Sequence, residues 1–257
     1  MYPVDLSSKK AIVFGVANER SIAWAICQIL HQAGVRLAIA YQNERLRSRA
    51  EKLVQGMDAT LLLECDVAQD EQIEAVFQKT GKEFGSLDYL VHSIAYAQRE
   101  DLGGDFSQIG REGFQTALEI SAYSLIPLVR HAATLMKKGG SVITMTFQAS
   151  ERVFPGYNIM GTAKAALENE VRQLAAEYGN RNIRVNAISA GPLETLAARG
   201  IHGFPDMRRI HAQKAPLQRN ITHEEVAKTA LYLCSDLSSG VTGAIIPVDA
   251  GYHIMAV

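Results

Sequence analysis

An α/β fold, with one parallel sheet covered by helices on both faces, is predicted from three features of the 257-residue sequence. Short β-branched runs alternate with longer amphipathic stretches from end to end, the pattern of successive βα units. Most of the strand runs are continuously apolar rather than alternating, as expected where both faces of a sheet are buried. No linker or repeat interrupts the rhythm, so residues 1–257 are expected to form one domain.

Strands are expected at 11–16, 36–41, 60–65, 89–92, 141–146, 184–189 and 244–248. Helices are expected at 21–33, 45–55, 70–84, 114–136, 157–178 and 223–234, each showing apolar residues at helical spacing. The stretch 193–218 breaks the alternation, mixing Gly200, Gly203, Pro205 and Pro216 with apolar Ile201, Phe204 and Met207. It follows the carboxyl end of a strand, the edge where open α/β sheets bind ligands, so it reads as an irregular loop covering a substrate. A surface helical hairpin packing on its own sheet is the plainer alternative.

Composition narrows the ligand. A net charge of -1 offers nothing to nucleic acid or an anionic membrane, and 47% hydrophobic with 21% charged residues is ordinary for a globular chain. Cys27, Cys65 and Cys234 share no metal-ligand spacing and read as reduced packing residues. His31, His131, His202, His211, His223 and His253 likewise show no common spacing, and His92, at a strand end, reads as structural. No metal site is expected. Met1–Lys10 has no basic region leading into an apolar one, and no uncharged apolar run is long enough to span a bilayer, so cytoplasm is the expected address. A Ser-His-Asp hydrolase is disfavoured because no Gly-x-Ser-x-Gly elbow occurs.

The first strand runs into Gly15-Val16-Ala17-Asn18-Glu19-Arg20-Ser21-Ile22-Ala23, where a helix starts near Ser21. Only Gly15 keeps its place from the usual Gly-x-Gly-x-x-Gly, while Ser21 and Ala23 are small enough for a dinucleotide to approach the backbone. The helix start offers free amides and a positive dipole end to a pyrophosphate. Gln42 follows the second strand, Asp66-Val67 the third and Ser93-Ile94-Ala95 the fourth. An acidic residue after the second strand holds the adenine ribose hydroxyls and a basic one a 2′-phosphate; Gln42 is neither, and Arg45 and Arg47 nearby fit the first turn of a solvated helix. NADH is favoured over NADPH.

Further on stands Tyr157-Asn158-Ile159-Met160-Gly161-Thr162-Ala163-Lys164. Seven residues make almost two helical turns, so Tyr157 and Lys164 share a face and can point into one cleft. The lysine can bind the nicotinamide ribose hydroxyls, and its charge is expected to lower the phenol pKa and suit Tyr157 to hydrogen-bond or proton donation.

Tyr157-x-x-Met160-x-x-x-Lys164 resembles the signature of the divergent short-chain dehydrogenases, where the ordinary family has Tyr-x-x-x-Lys. The stretches 15–24, 87–97, 186–192, 195–197 and 248–252 resemble the bacterial NADH-dependent enoyl-acyl-carrier-protein reductases, and His92-Ser93-Ile94-Ala95 replaces the ordinary Asn-Asn-Ala-Gly. The resemblance implies a Rossmann-like fold with a seven-stranded parallel sheet. It also implies a homotetramer that reduces trans-2-enoyl thioesters on acyl carrier protein in fatty-acid elongation. Carried over at matching positions, cofactor contacts are expected at Gly15, Ser21, Ile22, Gln42, Asp66, Val67, Ile94, Lys164, Leu193, Glu194, Thr195, Leu196 and Ala197. The acyl pocket is expected at Ala97, Tyr157, Met160, Ile201, Phe204 and Met207, and the apolar tail Ile254-Met255-Ala256-Val257 at an interface.

One position departs from that family: ten residues before the catalytic tyrosine, where a second tyrosine is typical, this chain has Phe147. Either the missing hydroxyl is auxiliary and the ring preserves packing, or the chain is a specialised isozyme with altered turnover, acyl preference or inhibitor response, for example in a secondary-metabolite pathway. Two other readings compete. A carbonyl reductase is disfavoured by the Tyr157-to-Lys164 spacing, and an NADH-binding protein without turnover is disfavoured by the retention of both residues.

Overall fold

Each expected strand forms close to its predicted bounds. The computed structural model describes residues 4–57 and 60–256; Met1–Pro3 and Val257, which entered the sequence reading, lie outside the described residues. The elements run β1 (Lys10–Phe14), α1 (Ile22–Gln32), β2 (Arg36–Tyr41), α2 (Glu44–Leu53), β3 (Leu61–Glu64), α3 (Asp70–Phe84), β4 (Tyr89–His92), α4 (Arg111–Leu118) and α5 (Leu125–Leu135). They continue with β5 (Gly140–Thr146), α6 (Asn158–Tyr178), β6 (Ile183–Ala190), α7 (Phe204–Lys214), α8 (His223–Cys234) and β7 (Ile245–Val248). All strand pairs are parallel, in the order β3-β2-β1-β4-β5-β6-β7. This is the Rossmann-like sheet expected.

Strand alternation divides the core between the two faces. Ile12 and Phe14 point one way, packing with Leu128 of α5 and Leu167 and Val171 of α6. Val13 and Ile39 point the other way, packing with Ile26 and Leu30 of α1 and Val226 and Leu233 of α8. Burying each such side chain contributes roughly 1.5–3 kcal/mol. Cys27, Cys65 and Cys234 sit inside these cores as free thiols, and burial raises the pKa of all three, that of Cys65 to about 12.

Two expectations are corrected. The single helix over 114–136 is instead α4, a π-helical turn at Glu119–Tyr123, and α5. The Ser124 amide reaches back five residues to the Glu119 carbonyl at 3.1 Å, and Pro127 has no N–H to give to Tyr123. Ser121, inside the turn, is drawn to the loop after β4, hydrogen-bonding both N and O of Tyr96 at 2.9 Å. The second correction concerns 193–218, which is not irregular: it holds a 3₁₀ turn at Ala197–Gly200 and then helix α7. Gly203 at φ 75° and Pro205 in the first turn start α7, where a missing N–H costs nothing.

His92 is structural, as expected. It is fully buried, with Nδ1 2.7 Å from Thr144 Oγ1 and Nε2 2.9 Å from Ser124 Oγ. Burial, aided by the Lys164 charge, pushes its pKa down to about 3. A histidine held neutral takes up its proton in the unfolded chain first, so stability falls as pH drops from the unfolded value toward 3. Full linkage amounts to about 1.4 kcal/mol per pH unit. Thermal unfolding between pH 6.5 and 4 should show this slope, and His92→Asn should flatten it; an unchanged slope in the variant would assign the acid lability elsewhere.

Candidate active site

The chain reverses direction across the sheet between β1 and β4, and the crevice at such a switch point is where open α/β sheets bind nucleotides. Gly15 opens it. Its φ is 101°, and a Cβ there would lie 2.0 Å from the Ser93 carbonyl oxygen, so the β1 and β4 ends approach as only glycine permits. Ser21 precedes α1 without capping it; its Oγ accepts instead from the Ala17 and Asn18 amides, both at 3.0 Å. The first turn of α1 therefore keeps amides unclaimed by a side chain and directed at the crevice, which suits a pyrophosphate. Ile22 and Ile94 are half-buried beside it.

Gln42, Asp66 and Val67 follow β2 and β3 along the same edge. Gln42 is exposed, Val67 is buried, and Asp66 ties its own loop by accepting from the Ala68 amide at 3.1 Å. Arg47 is held by Glu44 at 3.5 Å and Glu51 at 2.9 Å. From the other side comes 193–197. Leu193 is buried, Thr195 Oγ1 accepts from the Ala198 amide at 3.2 Å, Leu196 and Ala197 are exposed, and Glu194 pairs with Arg208 of α7. His223, at the head of α8, has its pKa lowered mainly by burial and lies among the Arg20 backbone, Glu194 and Arg208.

Tyr157 immediately precedes α6 and Lys164 lies within it, 4% exposed, its Nζ donating to the Met145 carbonyl at 2.8 Å. The expected electrostatics are corrected here. Desolvation lowers the Lys164 pKa to about 8, and desolvation alone raises the Tyr157 pKa; the lysine does not lower it. Half-buried against Met160, the Tyr157 phenol holds its proton above the usual phenol range.

Ala97, Tyr157 and Met160, three of the six residues expected to border the acyl chain, gather with Leu102, Leu118 and Ala163 in an apolar cluster. Phe147 stands edge-on to Tyr157 at 5.0 Å between ring centroids and 4.7 Å from Phe154. Beyond Phe154 opens a cleft of about 540 Å³ whose lining includes Val153, Phe154, Met207, Ile210, Tyr252 and Met255. Of the expected residues on α7 and its approach, only Met207 lines it. Ile201, in the turn leading into α7, and Phe204, its first residue, are half-buried. That turn nonetheless packs on the residue before the tyrosine: the His202 carbonyl oxygen lies 2.5 Å from where a Cβ on Gly156 would stand, with Gly156 at φ 79°.

Phe154, Asn158, His211 and Tyr252 were given no role at the site by the sequence reading. Asn158, at φ 26°, donates from Nδ2 to the Gly103 and Gly104 carbonyls at 3.0 and 3.1 Å and so moors the start of α6 to the loop after β4. His211 is buried on α7 and stacks on Tyr252 at 4.8 Å, seating the cover on the chain's C-terminal end. The Phe154-to-Tyr157 spacing was a usable signal for the first of these. Nothing local announces a contact between 211 and 252.

A family model described as enoyl-(acyl carrier protein) reductase matches residues 15–253. A Nostoc sp. protein named enoyl-[acyl-carrier-protein] reductase (NADH) is 49% identical over 98% of this chain and 99% of its own. A Staphylococcus aureus relative, whose name specifies NADPH, is 46% identical over 97% of this chain and 98% of its own. The crystal structure of the Bacillus cereus enoyl-acyl carrier protein reductase, solved with NADP+ and indole naphthyridinone, superposes with a TM-score of 0.96 at 45% identity, covering 98% of this chain and 100% of that one. By sequence along nearly its whole length and by fold, the chain belongs to the enoyl-(acyl carrier protein) reductase family.

Proposed function

We propose that this chain reduces trans-2-enoyl thioesters on acyl carrier protein to saturated acyl thioesters with NADH, as one reductase domain spanning 1–257 that works in the cytoplasm as a homotetramer. The observation that carries the reading is the position of the half-buried Tyr157 phenol, between the apolar cluster around Met160 and the aromatic wall of Phe147. Bound NADH would supply the hydride for the alkene carbon remote from the thioester. Negative charge then gathers on the thioester oxygen, and a preorganised donor in a dry site stabilises it. Tyr157 is that donor, and a proton drawn from solvent onto the carbon beside the thioester completes the saturated product. Lys164 holds the nicotinamide ribose, while Gly15, Ser21, Ile22, Gln42, Asp66, Val67, Ile94 and Leu193–Ala197 cradle the rest of the dinucleotide. Ala97, Met160, Ile201, Phe204 and Met207 border the acyl chain, and 193–218 shields it.

NADH is preferred over NADPH because Gln42 offers no charge to a 2′-phosphate and Arg47 is already engaged by two carboxylates. For the tetramer, the support is the tail: Ile254 is 68% exposed in the single chain. Among the described residues no helix is long and apolar enough to cross a membrane. The deciding experiment follows NADH oxidation with a crotonyl or longer enoyl carrier-protein thioester and then with a ketoacyl thioester. Consumption with the enoyl substrate is expected; consumption only with the ketone would make the protein a carbonyl reductase, and binding without turnover would make it a sensor.

Phe147 acts as packing. Its ring meets Tyr157 in a T-shaped pair and Phe154 in a tilted one, contacts worth about 0.5–1.5 kcal/mol per pair beyond area burial. Phe147→Tyr should therefore change kcat by less than about threefold with unaltered acyl preference, and Phe147→Ala should cost on the order of tenfold as Tyr157 loses its wall. A large gain, or a changed chain-length profile, in Phe147→Tyr would instead mark a specialised isozyme.

A further inference from the structure

Glu168 is a buried carboxylate that the chemistry above does not use. It lies one helical turn beyond Lys164 and is 4% exposed, and acidic side chains are almost never buried so far without partners. Its Oε1 accepts a 2.7 Å hydrogen bond from Thr146 Oγ1, and its Oε2 lies 4.0 Å from Nη2 of Arg172 at the rim. Met145 and Thr146, consecutive residues at the end of β5, thus hold Lys164 and Glu168 on consecutive turns of α6. Residues four apart share a helix face, so the carboxylate and the ammonium stand on the same side of α6.

We propose that Glu168 is a positioning residue for Lys164, a buried counter-charge that keeps the ammonium protonated at the cofactor ribose while its bond to Thr146 fixes α6 against the end of β5. The proposal rests on the reading of Lys164 as a ribose contact. Removing an ammonium from water favours loss of its proton unless an anion compensates. Desolvation lowers the Lys164 pKa, and Glu168 is the charge that opposes it. The other groups around the lysine do not. His92 on β4 is held neutral and the Tyr157 phenol is uncharged; β5 carries no ionisable side chain. From the 111–135 helical path, the Ser121 and Ser124 hydroxyls meet Met160 and His92. Arg172 acts on Glu168 from the solvent side.

Glu168→Gln separates charge from tether, because the amide oxygen still accepts from Thr146. The basic limb of the kcat/KM profile should move to lower pH by about one unit, leaving activity near wild type at pH 6 and about tenfold lower at pH 9. In protein carrying 13Cε-lysine, the Lys164 resonance, identified by its absence in Lys164→Met, should titrate at correspondingly lower pH. An unmoved Lys164 titration overturns the proposal. Thr146→Val is the complementary variant, since it breaks the tether and keeps the charge. It should lower the thermal midpoint and leave the basic limb in place, and a displaced limb there would also overturn the assignment. The underlying reading fails separately, through full NADH affinity and turnover in Lys164→Met, an outcome that leaves the resonance measurement to judge Glu168.

Discussion

Gly15→Ala is expected to abolish measurable NADH binding and to lower the stability of the fold by several kcal/mol. Two costs combine. A non-glycine residue at φ 101° carries backbone strain of about 1–3 kcal/mol. The added methyl also stands 2.0 Å from Ser93 O and 2.7 Å from Ser93 C, backbone atoms that yield only if the ends of β1 and β4 part. Parting them widens the crevice in which the dinucleotide is to lie. Gly85→Ala is the control, because Gly85 has φ 75° and nothing within 4 Å of a new Cβ, so it incurs strain without the clash. NADH titration by fluorescence and a thermal melt on both variants separate the contributions. Near-wild-type affinity in Gly15→Ala would remove this glycine from the cofactor site.

The sheet was legible because a strand buried on both faces has to be apolar throughout, and such runs have few other readings. The helical segment 111–135 was less so: hydrophobic spacing reports which side faces the core, whereas the π turn depends on Ser121 finding the Tyr96 backbone, a partner 25 residues away. In 193–218 the glycines and prolines were read as disorder of the pattern, although Gly203 and Pro205 are what begin α7. Tyr157 and Lys164 were legible as a pair from their spacing. Their electrostatics were not, because the pKa values depend on how completely water is excluded and on which acceptor Nζ reaches, and Met145 O becomes available only once β5 and α6 pack. The aromatic wall was half legible: Phe147 and Tyr157 are close in sequence, whereas Tyr252 joins Phe154 only after β7 completes the sheet.

The second large effect concerns that phenol. Tyr157→Phe should lower kcat/KM for an enoyl thioester by about two orders of magnitude, on the order of 3 kcal/mol for one oxyanion donor, with NADH affinity unchanged. The ring of the variant still packs against Phe147 and Met160, so the loss isolates the hydroxyl. Phe147 has no hydroxyl to compensate, which sharpens the effect. The pH dependence supplies an independent check. A phenol whose pKa is raised by desolvation keeps its proton beyond its ordinary range, so Tyr157 imposes no fall in rate near that value. Lys164 does: its ammonium, complete at low pH, is lost as pH rises through about 8, and activity should decline there in both wild type and Tyr157→Phe. A basic limb that disappears with the hydroxyl would assign the titration to Tyr157 and make it a proton donor in equilibrium with solvent. A limb that persists leaves Tyr157 as a fixed hydrogen-bond donor and Lys164 as the group whose charge the reaction requires.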